Sequence, residues 1–156
     1  MRNEKLVRLL MEKGYRICCA ESCTGGMLSS AIVDVANASS VVDMGFVTYA
    51  NEAKIKLLGV NTDTIDKFGV VSEAVAGQMA NGAAKTSGAQ VGVGISGIAG
   101  PTGGSDKKPV GTVCFGFYIT GKTVTKTMYF GNLGRTQVRM AACNFAIDTL
   151  ISLLEA

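Results

Sequence analysis

Val91-Gly92-Val93-Gly94-Ile95-Ser96-Gly97-Ile98-Ala99-Gly100-Pro101-Thr102-Gly103-Gly104-Ser105 contains two kinds of chain in one run. In its first half Val91, Val93 and Ile95 alternate with glycine, the period-two pattern of a strand with its apolar side chains on one face. Its second half is a loop from Ser96 to Ser105 with four glycines and one of the chain's two prolines. Glycine lets a backbone approach a ligand closely and take positive φ, so that N–H groups converge on an anion. A strand that runs directly into such a loop suggests a binding edge on an α/β sheet.

The flanking sequence supplies the rest of the layers. Leu6, Leu9 and Leu10 recur at helical spacing over residues 3–13, Gly14 stops that helix, and Tyr15 to Ala20 reads as a buried strand. Thr24 to Val35 is expected to be helical, Met44 to Ala50 a strand, and Glu52 to Leu58 a short helix capped by Asn51 and closed by Gly59. Residues 61–71 read as loop with one helical turn, and Ser72 caps a helix to about Thr86. Val110 to Thr120 and Thr123 to Phe130 form a hairpin turning at Gly121-Lys122, and Arg135 to Leu154 is a long final helix. Strands interleaved with helices, plus one hairpin, predict a three-layer α/β/α sandwich on a mixed sheet, with residues 1–156 as one domain.

Composition narrows the chemistry. The 156 residues are 47% hydrophobic and carry a net charge of +3, with 15 basic and 12 acidic side chains interleaved. That charge is too weak and diffuse to argue for nucleic acid. No apolar run approaches the roughly 20 residues that span a bilayer, and no signal peptide leads the chain. Five cysteines, two of them adjacent, suggest no disulfide framework, so a reducing cytoplasm is expected. Histidine is absent, which excludes a Ser-His-Asp triad and imidazole metal ligands. Acid–base work falls to Lys, Tyr, Cys, Asp or Glu.

Two motif matches carry nothing. Gly92 to Gly97 satisfies G-x-G-x-x-G but lies inside a strand instead of opening a helix, and Ser105 to Lys108 satisfies S-x-x-K in a loop. The turn Glu21-Ser22-Cys23-Thr24-Gly25-Gly26 is more informative. It places hydroxyl, thiol and the backbone N–H groups of Thr24, Gly25 and Gly26 where a strand gives way to a helix, a place for an oxyanion or phosphate. Ser22 is the candidate nucleophile and Cys23 the alternative, because a helix N-terminus lowers a thiol pKa. Without histidine, Lys54 is the candidate base, with Tyr49 to orient or relay a proton. Arg135 and Arg139, one turn apart at the start of the last helix, suit a phosphate.

Five ordered segments then resemble a known family: Ala20 to Gly26, Gly45 to Tyr49 with Asn51 and Lys54, Gly69 to Glu73, Gly97 to Pro101 with Gly103-Gly104, and Lys108 to Val113. Together they are similar to the CinA C-terminal domain family, the nicotinamide-nucleotide amidohydrolases (PncC), over about residues 5–155. The resemblance implies hydrolysis of the carboxamide of nicotinamide mononucleotide to nicotinic acid mononucleotide and ammonia. It implies an α/β/α fold, usually a dimer, with no obligatory metal or other cofactor. It maps the family's nucleophile onto Ser22, its lysine and tyrosine onto Lys54 and Tyr49, a binding hydroxyl onto Ser96, and the arginine onto Arg135. Glu21, Thr24, Gly25, Gly26, Gly97, Gly100, Gly103, Gly104 and Arg139 complete the expected substrate contacts. Longer members carry an N-terminal domain resembling molybdopterin-binding proteins, whose activity is not expected here. The rival readings are a sensor that binds phosphorylated metabolites without turnover and an amidase that uses Cys23. Which turn meets the phosphate and which the carboxamide stays open, as does Arg135 against Arg139.

Overall fold

The computed structural model describes residues 1–156. Strands β1 (Ile17–Glu21), β2 (Phe46–Val47), β3 (Val91–Gly97), β4 (Thr112–Ile119) and β5 (Lys122–Tyr129) form one sheet in the order β2-β1-β3-β4-β5. β1 is parallel to both its neighbours, whereas β3, β4 and β5 are successively antiparallel, so the sheet is mixed. The helices are α1 (Arg2–Lys13), α2 (Met27–Val33), α3 (Asn51–Leu58), α4 (Thr62–Phe68), α5 (Glu73–Ser87) and α6 (Arg135–Glu155).

The alternation in β3 separates the two outer layers. Val91, Val93 and Ile95 join Ile17 and Cys19 of β1 and Val113, Phe115 and Phe117 of β4 in one core with the buried faces of α1, α2 and α6. The opposite face carries Gly92, Gly94 and Gly116, and α5 lies directly on it. A Cβ added at Gly92 would overlap the Ala80 carbonyl, and one at Gly94 or Gly116 the Ala76 carbonyl. These glycines make room for a helix backbone. Their partners in α5 are also small, with Ala76, Ala80, Ala83 and Ala84 all buried. α3 and α4 flank α5, and the three-layer α/β/α sandwich follows.

Several local boundaries differ from the sequence expectation, each for a physical reason. α2 starts at Met27, because Gly25 and Gly26 sit at φ +57° and +101°, outside the helical region. The expected strand over 44–50 pairs only through Phe46 and Val47. Ala50, not Asn51, is the N-cap of α3, so Lys54 is its fourth residue. The hairpin turns at Thr120-Gly121, both at positive φ, one residue earlier than expected. Residues 61–71 hold the two-turn α4, whose N-terminus α5 secures: Gln78 accepts from the Asn61 N–H and donates to Thr64 Oγ1.

Glycine at position 94 is therefore a packing requirement. Gly94→Ala would press a methyl group onto the Ala76 carbonyl, with the Ala80 N and Met79 Cβ at 2.8 Å. Overpacking of this kind costs about 1–3 kcal/mol, and the expected result in a thermal melt is a Tm lower by roughly 2–10 °C.

Candidate active site

Three loops leave the C-terminal ends of the parallel strands side by side, since Glu21 pairs with both Val47 and Ile95. The edge outside such strand ends is where open α/β sheets bind ligands. After β1 comes the turn with Ser22, after β2 the segment Thr48-Tyr49 leading to α3 and Lys54, and after β3 the glycine-rich loop. Topology alone thus brings three segments distant in sequence to one place.

At their meeting point Lys54 is almost wholly enclosed, 1% exposed, and Ser22 is 9% exposed. Lys54 Nζ lies 3.1 Å from Ser22 Oγ, 2.7 Å from the Thr48 carbonyl oxygen and 3.0 Å from the Tyr49 carbonyl oxygen. No carboxylate pairs with it. Burial pushes the Lys54 pKa below the ordinary lysine value, because a charged amine is poorly solvated there. The three oxygens match either protonation state. As ammonium, Lys54 donates once to each; as free amine it donates to the two carbonyls, and its lone pair faces the Ser22 hydroxyl. A buried lysine held in this way has one serine within reach of its proton.

Glu21 has a different place from the one expected. It is fully buried, and its carboxylate accepts from Thr24 Oγ1, the Leu28 and Ser29 N–H groups and Ser29 Oγ, at 2.7–2.9 Å. The carboxylate faces into the fold and occupies the N-terminal amides of α2, so that helix end is not open to a ligand. Within the turn, the Gly25 N–H donates to the Ser22 carbonyl, whereas the Cys23 and Thr24 N–H groups donate to no protein acceptor.

A cleft of about 480 Å³ opens at the turn after β1, which it meets through Cys23, while Ser22 and Lys54 are not part of its wall. Cys23, Tyr49, Val70, Gly97, Gly100 and Arg135 line it, together with Gly103 of the glycine-rich loop and Lys108 just beyond it. Arg135 bridges its rim, donating through Nη1 to the Gly100 carbonyl (2.9 Å) and through Nη2 to the Tyr49 hydroxyl (3.0 Å). The Tyr49 ring is 62% exposed, and Tyr49 meets Lys54 through its carbonyl instead of its phenol. Ser96 is buried, and its hydroxyl donates to the Val70 carbonyl (2.8 Å), tying the Gly69–Val71 segment to β3. Gly104 packs against Val110, outside the cleft wall. Gly25, Gly26 and Arg139 line a separate depression with Met27, Ser30 and Asp34.

The Cys23 thiol lines the cleft, but burial raises its pKa to about 11. A thiol with such a pKa is mostly protonated at neutral pH, and only its small thiolate fraction is nucleophilic. Sequence reasoning missed the Thr48 carbonyl as a partner of Lys54 and Lys108 as a cleft residue. The first carries no side-chain signal, and the second entered only through an S-x-x-K match that carries nothing and as the start of the Lys108–Val113 segment. No three His, Cys, Asp or Glu side chains gather as a metal-ligand set, and no helix is long and apolar enough to cross a membrane.

A mixed five-stranded sheet between two helical layers, with a buried serine–lysine pair at the parallel strand ends, defines an α/β sandwich protein with a candidate nucleophile site. More particularly, the chain belongs to the CinA C-terminal domain family, whose model matches residues 2–154. It is 48% identical to a protein of Enterobacter agglomerans named nicotinamide-nucleotide amidohydrolase PncC, over 91% of this chain and 87% of that protein. It is 50% identical to a CinA-like protein of Kosmotoga olearia over 93% of this chain, yet spans only 35% of that relative's length. The competence/damage inducible protein CihA from Agrobacterium tumefaciens superposes with a TM-score of 0.92 at 42% identity, covering 100% of this chain and 97% of that one. A CinA superfamily protein from Klebsiella pneumoniae superposes with a TM-score of 0.95 at 36% identity, covering 99% and 96%.

The Cys23 thiol makes the site chemically testable without a substrate. With its pKa moved from 9.0 to about 11, alkylation of Cys23 in the native protein near neutral pH should run roughly 100-fold slower than that of an unperturbed thiol. Iodoacetamide labelling followed by peptide mass spectrometry checks this, and the rate should climb with pH as the thiolate forms.

Proposed function

We propose that this chain is an amide hydrolase that converts nicotinamide mononucleotide and water to nicotinic acid mononucleotide and ammonia, with Ser22 as nucleophile and Lys54 as base. The observation that carries the reading is the buried amine, held by two carbonyls, with Ser22 Oγ as its third neighbour. The amidohydrolase name of the Enterobacter relative, matched over nearly its whole length, supplies the reaction. The raised pKa of Cys23 supports serine over cysteine.

Lys54 as free amine takes the Ser22 proton while Oγ forms a bond to the carboxamide carbon, and the carbonyl π pair moves to its oxygen. The Cys23 and Thr24 N–H groups, without partners of their own, stabilise that oxyanion. Collapse breaks the C–N bond, the Lys54 ammonium returns its proton to the leaving nitrogen, and ammonia departs from an ester on Ser22. Water then adds with Lys54 as base, the C–Oγ bond breaks as the Lys54 ammonium returns that proton to Oγ, and nicotinic acid mononucleotide leaves with Ser22 and the free amine restored. Arg135, with its unused N–H groups on the cleft rim, takes the substrate phosphate, and the Tyr49 hydroxyl orients it. The backbone of Gly97, Gly100 and Gly103 lets the nucleotide approach closely. We place residues 1–156 in one such domain, acting in a reducing cytoplasm where its five unpaired cysteines are stable, as a dimer, with exposed Met44 just before edge strand β2 and exposed Val47 within it offering apolar surface.

Ammonia release from the mononucleotide tests the reading. Ser22→Ala should lose at least about 10³-fold in kcat, and Lys54→Met about 10²–10⁴-fold. Binding of the mononucleotide with no ammonia from the wild type would instead favour the metabolite sensor. The base works only when neutral, so the wild-type rate should fall as pH drops through a Lys54 pKa lying below the ordinary lysine value. That acid limb should vanish in Lys54→Met; an unaltered limb removes Lys54 from the mechanism.

Arg135→Met and Tyr49→Phe separate binding from chemistry. Each leaves the Tyr49 carbonyl on Lys54 and loses a rim contact, so KM should rise, by about 10–100-fold for Arg135→Met, while kcat changes little.

A further inference from the structure

Arg135 and Arg139 share one face of α6, yet their guanidinium groups diverge. Arg135 reaches the cleft rim, whereas Arg139 turns to the backbone behind Ser22, donating through Nε to the Cys23 carbonyl (2.8 Å) and through Nη2 to the Thr24 carbonyl (3.1 Å). We propose that Arg139 is a positioning residue that fixes the peptide plane between Cys23 and Thr24, so that the Thr24 N–H faces the oxygen that becomes negative when Ser22 attacks. The inference rests on the reading of Ser22 as nucleophile.

Peptide geometry carries the argument. The bonds on either side of Thr24 are trans, the one cis bond being Gly100–Pro101. In a trans peptide the C=O and the next N–H point in opposite directions. With the Cys23 and Thr24 carbonyls both drawn to Arg139, the Thr24 and Gly25 N–H groups must leave on the other side of the turn. The Gly25 N–H confirms that direction, since it lands on the Ser22 carbonyl at 3.0 Å. The Thr24 N–H, opposite the Cys23 carbonyl across a trans peptide, leaves away from Arg139 in the same way.

Thr24 is anchored from every other direction. Its hydroxyl donates to Glu21, and its carbonyl accepts from the Met27 N–H and from Arg139. Of its polar groups only the N–H has no protein partner, although the residue is fully buried. A fork on two carbonyls also draws electron density away from the attached amides, which strengthens them as donors. Gly25 keeps the fork in reach, because a Cβ there would sit 3.3 Å from Arg139 Nη2.

The experiment compares wild type with Arg139→Gln and Arg139→Lys in mononucleotide hydrolysis. Removing one oxyanion donor lowers kcat by about 10²–10³-fold, so misaligning the Thr24 N–H in Arg139→Gln should lower it tenfold or more. KM should stay within about twofold, and the acid limb set by Lys54 should not move. Arg139→Lys, which engages one carbonyl at a time, should fall between the two, and millimolar guanidinium should restore part of the Arg139→Gln rate. A raised KM with unchanged kcat would make Arg139 a direct substrate ligand and overturn the proposal, as would kinetics equal to wild type. If the wild type releases no ammonia, the substrate reading fails, and the decision passes to Ser22 labelling by a fluorophosphonate, read by intact mass. Labelling at least tenfold slower in Arg139→Gln upholds the positioning role; equal rates, or no labelling of wild type, overturn it.

Discussion

Lys54 reaches Ser22 because the end of α3 rests directly on α5 where Gly82 lacks a side chain. A Cβ on Gly82 would overlap the Leu58 carbonyl at the C-terminus of α3. α5 is in turn pressed onto the sheet through Gly92, Gly94 and Gly116. Missing side chains therefore set the distance from sheet to α5 and from α5 to α3, and so the height at which the Lys54 amine stands over the end of β1. Interiors packed at crystal-like density transmit such displacements, and a proton transfer over 3.1 Å tolerates little of one. Glycines far from the cleft belong to its geometry.

The end of β1 also holds two ionisable groups deep in the protein without pairing them. Glu21 is satisfied by four neutral donors, and Lys54 by three neutral oxygens. An ion pair between them would have been the simpler way to bury both, but a carboxylate beside Lys54 would hold its proton and spoil it as a base. Separate solvation by backbone dipoles keeps each group in place and leaves the amine free to be neutral. Glu21 fixes α2 and the Thr24 side chain, while Lys54 faces the serine between them. The fold thus buries an acid and an amine on adjacent segments, each with its own neutral partners.

Much of this was legible in the sequence, for identifiable reasons. The alternation of Val91, Val93 and Ile95 with glycine announced both a strand and its two unlike faces, and the structure matches the expected three layers. The Ser22 turn and Lys54 stood out because residue type and the absence of histidine left few other candidates. What sequence could not show was direction. Glu21, Ser96 and Arg139 all read as ligand groups, yet their partners are Leu28 and Ser29, Val70, and the Cys23 and Thr24 carbonyls. A polar side chain next to a binding motif has the same composition whether it faces the ligand or the backbone that shapes the site. Residues 61–71 read as loop with one helical turn, because a partner that secures the start of α4 is Gln78, seventeen residues beyond Asn61.

The relatives bear on where the chemistry is encoded. The chain spans about a third of the Kosmotoga relative and most of the Enterobacter amidohydrolase, with similar identity to both. Every residue that builds the serine–lysine pair, its turn and the cleft lies between Glu21 and Arg139, inside the 2–154 match to the family. The pair depends only on contacts made within that span: β1 beside β2, α3 on α5, and α6 behind the turn. Sequence outside the span therefore supplies none of the contacts that orient Ser22 and Lys54 here. A longer relative that keeps these residues has the means to build the same pair, whatever its additional length does.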